Sequence, residues 1–326
     1  MLDPETITKD FLQRLPPPVV PPNGFDASAA TNVQLVKNGL PPRPDKNTHP
    51  KLRALWERMM SRPIQYSTQQ FKVSEKPVIP IGTSDAYAGA IITHPPSGQT
   101  FNTVSAGWTA VSVEPPPKYA KTPGQYWATM QASMDCGYPI ISGVRFSVGT
   151  TAVVSINELG NVDPDNTYTT AWFNWTGSPV MTIDITVVPG DTVYCTICGT
   201  AGSDEATCAF TNETTGMSTG FQTIPSPLDA ATGGRITLEG ESIGWLVWGG
   251  VDLAGGVTTI PDPADYGSVT FVDVTGSSRT SDGTASQEIN LASPNLQLVN
   301  EVTMTGGDDS TTIEESPTAF IVRAYL

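Results

Sequence analysis

Four cysteines (Cys136, Cys195, Cys198, Cys208) and two histidines (His49, His94) are the side chains whose types point most directly to metal, redox or nucleophilic chemistry. Cys195-x-x-Cys198 has the spacing of a metal or dithiol motif. It lies in the run DTVYCTICGT, which reads as a strand, where a three-residue offset sends side chains to opposite faces. A redox dithiol normally opens a helix, and a four-ligand zinc site needs a second pair that the chain does not supply. Cys198 and Cys208 flank a Gly/Ser/Asp loop and could face each other across a hairpin. A disulfide there would need an oxidising compartment, so free buried thiols are the expectation. His49 opens a short helix and His94 precedes Pro95-Pro96. Neither adjoins a G-x-S-x-G motif, so a nucleophilic triad is not expected, nor is a metal or other cofactor.

Charge narrows the partners. The 326 residues carry Lys+Arg 17 against Asp+Glu 32, a net charge of -15. The balance is uneven, with 11 Lys/Arg and 7 Asp/Glu in residues 1–80 and the acidic excess in the remainder. A nucleic-acid binder needs a cationic stripe, which the acidic body lacks. No apolar run is long enough to span a bilayer. Residues 1–15 show no apolar signal-peptide core. The expectation is a cytoplasmic or non-classically secreted chain, with extracellular as the alternative.

Three regions follow from the pattern. Residues 1–47, with Pro16-Pro17-Pro18, Pro21-Pro22 and Pro41-Pro42, read as a Pro-rich extended arm. Residues 48–80 hold one short helix and a linker: Thr48 as cap, Pro50 in the first turn, and Leu52, Leu55, Trp56 and Met59 at helical spacing. Residues 81–326 read as β. Short runs rich in Val, Ile, Thr and aromatics, such as 88–93, 143–148, 151–156, 168–175 and 207–212, are separated by Gly, Pro, Asn and Asp. More than ten such runs predict an all-β, antiparallel sandwich of two curved sheets.

Several segments, in order, resemble the eqolisins, the glutamic peptidases of fungi and some bacteria. Tyr87-Ala88-Gly89-Ala90 is similar to the family's Asn-Trp-Ser/Ala-Gly-Ala, and Thr100–Val113 to Phe-x-x-Val-x-Gly-x-Trp-x-Val. Ala171–Trp175 resembles Trp-Trp/Tyr-Glu-Trp, and Val188–Val193 the segment Pro-Gly-Asp-x-Ile/Val. Phe210–Gly216 resembles the Asn-x-Thr-Thr-Gly-Gln hairpin, Gly240–Val247 the Ala-Glu-Trp-Ile-Val segment, and Tyr266–Phe271 the Tyr-Gly-x-Val-x-Phe strand. The resemblance implies a concanavalin-like sandwich with a cleft on its concave face.

The resemblance also implies a Gln/Glu pair acting on a water, the carboxyl transferring protons and the amide holding the oxyanion. The sequence departs there. Gly244 stands where the Glu belongs and Ile141 where the Gln belongs. Gln131, Glu239 and Glu241 are the candidate substitutes. Glu241 precedes Gly244 by three residues and so faces the other side of a regular strand, and Glu239 needs a bulge. The expected cleft lining is Tyr87, Trp127, Gln131, Trp172 and Asn174, aromatic faces and amides that suit a peptide or glycan, with sheet packing as the competing role. Asn174-Trp175-Thr176 and Asn212-Glu213-Thr214 match glycosylation sequons by chance rather than design. The expectation is a family member that has lost the peptidase pair and acts by binding or as a structural protein, with oligomerisation open. An active pepstatin-insensitive acid endopeptidase with a rearranged pair is the alternative, and a carbohydrate-binding or self-assembling module a second.

Overall fold

The computed structural model describes residues 2–62, 64–68, 71–74, 87–136, 144–253, 257–259, 264–299, 310–313 and 318–324. Two sheets carry the fold. The first runs, in spatial order, Gln65–Tyr66, Met217–Ser218, Glu205–Asn212, Thr192–Gly199, Gln99–Thr109, Ser268–Thr280, Phe320–Arg323 and Ser310–Ile313. The second runs Leu296–Val299, Tyr87–Thr93, Ser242–Leu253, Gly124–Met134, Phe146–Ile156, Tyr168–Trp175, Met181–Ile183 and Lys72–Val73. Pairing is antiparallel except where Gln65–Tyr66 lies beside Met217–Ser218. The expected sandwich is thus the observed fold. The runs 143–148 and 151–156, expected as separate strands, fall largely within one strand, Phe146–Ile156, since Gly149 keeps a negative-φ, extended backbone and the chain runs straight through it.

The core lies between the sheets. Trp108, Tyr126, Phe146, Phe173, Trp175, Trp245 and Phe271 are fully buried there. Indole N–H groups cannot be left bare in such a core. Trp108 Nε1 donates to Thr150 Oγ1 at 2.9 Å and Trp245 Nε1 to Ser105 O at 3.0 Å, each bond crossing from sheet to sheet. Trp245 therefore fixes which face of its strand is core. Its neighbour Gly244 belongs to the opposite face.

Residues 1–47 are not the extended arm that their prolines suggested. Helix α1 (Pro4–Arg14) starts with Asp3 accepting from Thr6 N and Pro4 in its first turn. Its Phe11, with Leu15 just beyond, enters the main core, and Arg235 pairs with Asp10. Helix α2 (Asn32–Lys37) is opened by a Thr31/Gln34 capping box. Proline runs break helices only where they stand, and these two helices lie before and after Pro16–Pro22.

Helix α3 (Pro50–Met60) carries the expected apolar face, with Leu52, Leu55, Trp56 and Met59 buried. Its N-cap is His49 rather than Thr48, and no local side chain caps it. Glu288 supplies that function from a strand of the body. Its Oε2 accepts from Lys51 N at 2.7 Å and Leu52 N at 3.0 Å, a carboxylate at the positive end of the helix.

Candidate active site

The outer face of the second sheet is where the family pattern would place chemistry, and its rows are set by register. Ile91, Gly244, Ser133, Ser147 and Asn174 form one row across five strands. Gly89, Leu246, Gln131, Gly149 and Trp172 form the next, followed by Tyr87, Trp248, Thr129, Thr151 and Thr170. Trp127 and Val153 lie in the row beyond. Trp127, Gln131, Trp172 and Asn174 are therefore brought to one face. Tyr87 falls in register on it, but its side chain lies outside the described residues, as does Ile141 altogether.

The face is packed rather than open. Trp127 is 3% exposed, Gln131 0%, Trp172 1% and Asn174 8%. Glycines make room for the aromatics. A Cβ on Gly149 would meet the Trp172 ring at 2.9 Å, and one on Gly250 the Trp127 ring at 2.6 Å. Trp127 and Trp248 meet edge to face with centroids 4.5 Å apart.

A polar ladder that the sequence did not announce runs beneath these rings. Trp172 Nε1 donates to Thr151 Oγ1 at 2.9 Å, and Thr151 bonds Thr129 at 2.7 Å. Gln131 Nε2 donates to Ser133 Oγ at 2.9 Å, and Ser133 bonds Ser147 at 2.9 Å. Gln131 Oε1 is buried without a partner. The alternation of Thr129, Gln131 and Ser133 with core residues along Gly124–Met134 was the available signal for this ladder.

Around Gly244 the geometry is apolar. An added Cβ would sit 2.7 Å from Cys136 Sγ and 3.3 Å from an Ile91 carbon. Cys136, Ile91, Leu246, Trp127 and Trp248 form one buried cluster. Burial pushes the Cys136 thiol upward, so it stays protonated.

The candidate replacement carboxylates do not reach this place. Glu239 pairs with Arg145. Glu241 is exposed and lies at the strand's end, five residues before Leu246, the register partner of Gln131, which is about 16 Å along a strand. Both residues instead give backbone amides to Asp135, whose Oδ2 accepts from Glu239 N at 2.8 Å and Oδ1 from Glu241 N at 2.9 Å. Asp135 adopts φ 57° to do so and is 5% exposed. Burial raises its pKa, only partly offset by those two amides. It ties the end of Gly124–Met134 to the start of Ser242–Leu253.

The cysteines hold no metal geometry. All four are free thiols, and among the described residues no cluster of His, Cys, Asp and Glu suits an ion. Cys198 and Cys208 do not face each other. Cys198 pairs in register with Thr207, so Cys208 points to the core while Cys198 points outward. His49 Nε2 meets Ser286 Oγ at 3.0 Å, a packing role. The two sequon asparagines are buried, and Asn212 Nδ2 donates to Thr186 O and Asp191 Oδ2.

A family model described as the Peptidase A4 family matches residues 85–314. Among solved structures, aspergilloglutamic peptidase from Aspergillus niger is 21% identical, with a TM-score of 0.41 over 62% of this chain and 99% of that chain. Peanut lectin bound to a nine-residue peptide is 14% identical, with a TM-score of 0.23 over 49% of this chain and 69% of that one. No curated protein matches. With the family model spanning well over half of the sequence, from just before the strand Tyr87–Thr93 to just after Ser310–Ile313, the chain belongs to the peptidase A4 (eqolisin) family.

Proposed function

We propose that this peptidase-family chain binds rather than cleaves. The observation that carries the reading is the occupied space at Gly244. A carboxylate there would have to displace the Cys136 sulfur, and it would be desolvated among Ile91, Leu246 and two tryptophans. General acid–base catalysis on a water needs a carboxyl group within hydrogen-bond reach of it. Glu239 is engaged by Arg145, and Glu241 stands exposed at the strand's end. Misplacement of a catalytic group by about 1 Å already costs about a hundredfold in rate. Gln131 hydrogen-bonds no carboxylate among the described residues, which favours this reading over the alternative, an acid endopeptidase with a rearranged pair.

The test is cleavage of casein by the purified full chain from pH 2 to 6, with pepstatin present. No cleavage above a buffer blank is the expected result. Robust cleavage that disappears in Glu239→Gln or Glu241→Gln would overturn the reading.

A further inference from the structure

The seam between the N-terminal region and the first sheet encloses a cavity of about 410 Å³ that belongs to neither element alone. One wall is the apolar face of α3, with Leu52, Leu55, Trp56 and Met59. The opposite wall is the outer face of the first sheet, including Thr103, Ser105, Thr196, Cys198 and Ser277. Its size lies within the range of small-molecule sites.

The walls discriminate among ligands. Each hydroxyl of the sheet wall has a partner within the protein: Ser105 bonds Thr196 at 2.8 Å, Ser277 donates to Asn102 Oδ1 at 3.0 Å, and Thr103 meets the Cys198 sulfur at 3.5 Å. The facing wall of α3 offers a polyol nothing to bond, since Leu52, Leu55 and Met59 are apolar and Trp56 Nε1 already donates to Pro41 O at 2.9 Å. The Trp56 ring already carries Arg43 and Arg53, whose guanidinium carbons lie 4.9 and 5.6 Å from its centroid. An apolar tail is what such a slot accepts without leaving polar groups unpaired.

One end differs. Arg43 lines this cavity and also a more open depression beside it, of about 480 Å³, which Lys46 and Arg53 border as well. Arg43 Nη2 donates to the carbonyls of Ala27, Ser28 and Ala30 at 2.9, 2.6 and 3.1 Å. Its Nε–H is buried with no acceptor. The two nearby carboxylates are occupied by their own turns: Asp26 accepts from Ser28 N and Ala29 N, and Asp45 from Asn47 N and Thr48 N. Arg43 makes no ion pair among the described residues, and an uncompensated guanidinium at the end of a largely apolar slot suits a monoanionic oxygen ligand.

We infer that this seam binds an amphipathic carboxylate, with its aliphatic tail between α3 and the sheet and its carboxylate on Arg43. The site is independent of the sheet face around Gly244, so cleavage or its absence does not bear on it.

Cys198 in the wall gives a local readout. Methyl methanethiosulfonate labelling of the full chain, mapped by mass spectrometry, is followed with octanoate, methyl octanoate or acetate present. Octanoate at about ten times its half-protecting concentration should slow Cys198 labelling about tenfold. Methyl octanoate should need about tenfold more ligand, the value of one charge-assisted bond, and acetate should not protect. In Arg43→Gln, octanoate and its ester should become equivalent. No protection by octanoate, equal protection by the ester in the wild-type chain, or protection by acetate would each overturn the inference. If Arg43→Gln does not fold, the ester comparison decides alone.

Discussion

Gly244 and Cys136 share one space: a Cβ on the glycine would lie 2.7 Å from the cysteine sulfur, on the face of the second sheet opposite the core indole of Trp245. The pair ties the absence of a side chain at Gly244 on one strand to the space taken by Cys136 from the end of another. It predicts that Gly244→Ala costs about 1–3 kcal/mol by overpacking. Cys136→Ala in the same chain should recover much of that loss, a coupling that urea unfolding of both single variants and the double variant would measure. A fully stable Gly244→Ala protein would show that the space is not shared.

Gln131 is buried with its Oε1 unpartnered and only its Nε2 bonded, to Ser133. Gln131→Leu loses that one bond and also removes the unpaired oxygen. Stability should change by no more than about 1 kcal/mol, against about 1–3 kcal/mol where a replacement leaves a buried group stranded. A larger loss on chemical unfolding would mean that Oε1 has a partner in solution.

The N-terminal region is held by charge as well as by packing. Arg58 Nη2 lies 2.7 Å from Asp273 Oδ2, its guanidinium sits over the Tyr194 ring, and Arg62 pairs with Glu213 at 2.8 Å. Asp273 adopts φ 52°, which asparagine tolerates equally well. Asp273→Asn therefore removes the ion pair without adding backbone strain. The groups are about one-third exposed, so the loss should stay below about 1 kcal/mol and should fade in about 1 M salt. A loss that salt leaves intact would point to packing instead.

Asp10 carries a pH signature. Its hydrogen bond with Arg235 lowers its pKa from the ordinary 3.8. A carboxylate lowered in the fold contributes stability that is fully present above 3.8 and is lost as pH falls through its folded value. The wild-type chain should therefore lose more stability than Asp10→Asn between about pH 5 and 2. Asp135, raised by burial, acts in the opposite sense, but it is common to both proteins and cancels in the comparison. Parallel pH profiles of urea midpoints would sink this assignment.

The thiols should separate by exposure. Cys136, Cys195 and Cys208 are at most 2% exposed, and burial pushes Cys195 up to about 12. Cys198 is raised to about 11 but lines a cavity. Native-state labelling should reach Cys198 first and the other three only on global opening. Equal rates at all four would contradict the packing.

Alternation and turn residues made the sandwich legible, because a half-buried strand must repeat every two residues whatever its partner. The same arithmetic put Gly244 opposite Trp245, and set Cys195 and Cys198 on different faces. The helix α3 was legible from Leu52, Leu55, Trp56 and Met59. Its cap was not, since Glu288 arrives from a strand more than two hundred residues away. The helices α1 and α2 were masked by prolines that flank rather than interrupt them. Whether Trp127, Trp172 and Gln131 line an open cleft or a packed layer was likewise beyond pattern. Alternation names a face, but only the fold decides what covers it, and here it buries them to 3% or less. The cavity at Arg43 has no linear signature, because its walls are a helix near residue 50 and strands near residues 100, 200 and 280. Local sequence determined which residues share a face. The long-range packing that sets neighbours, burial and unused donors was decided only in three dimensions.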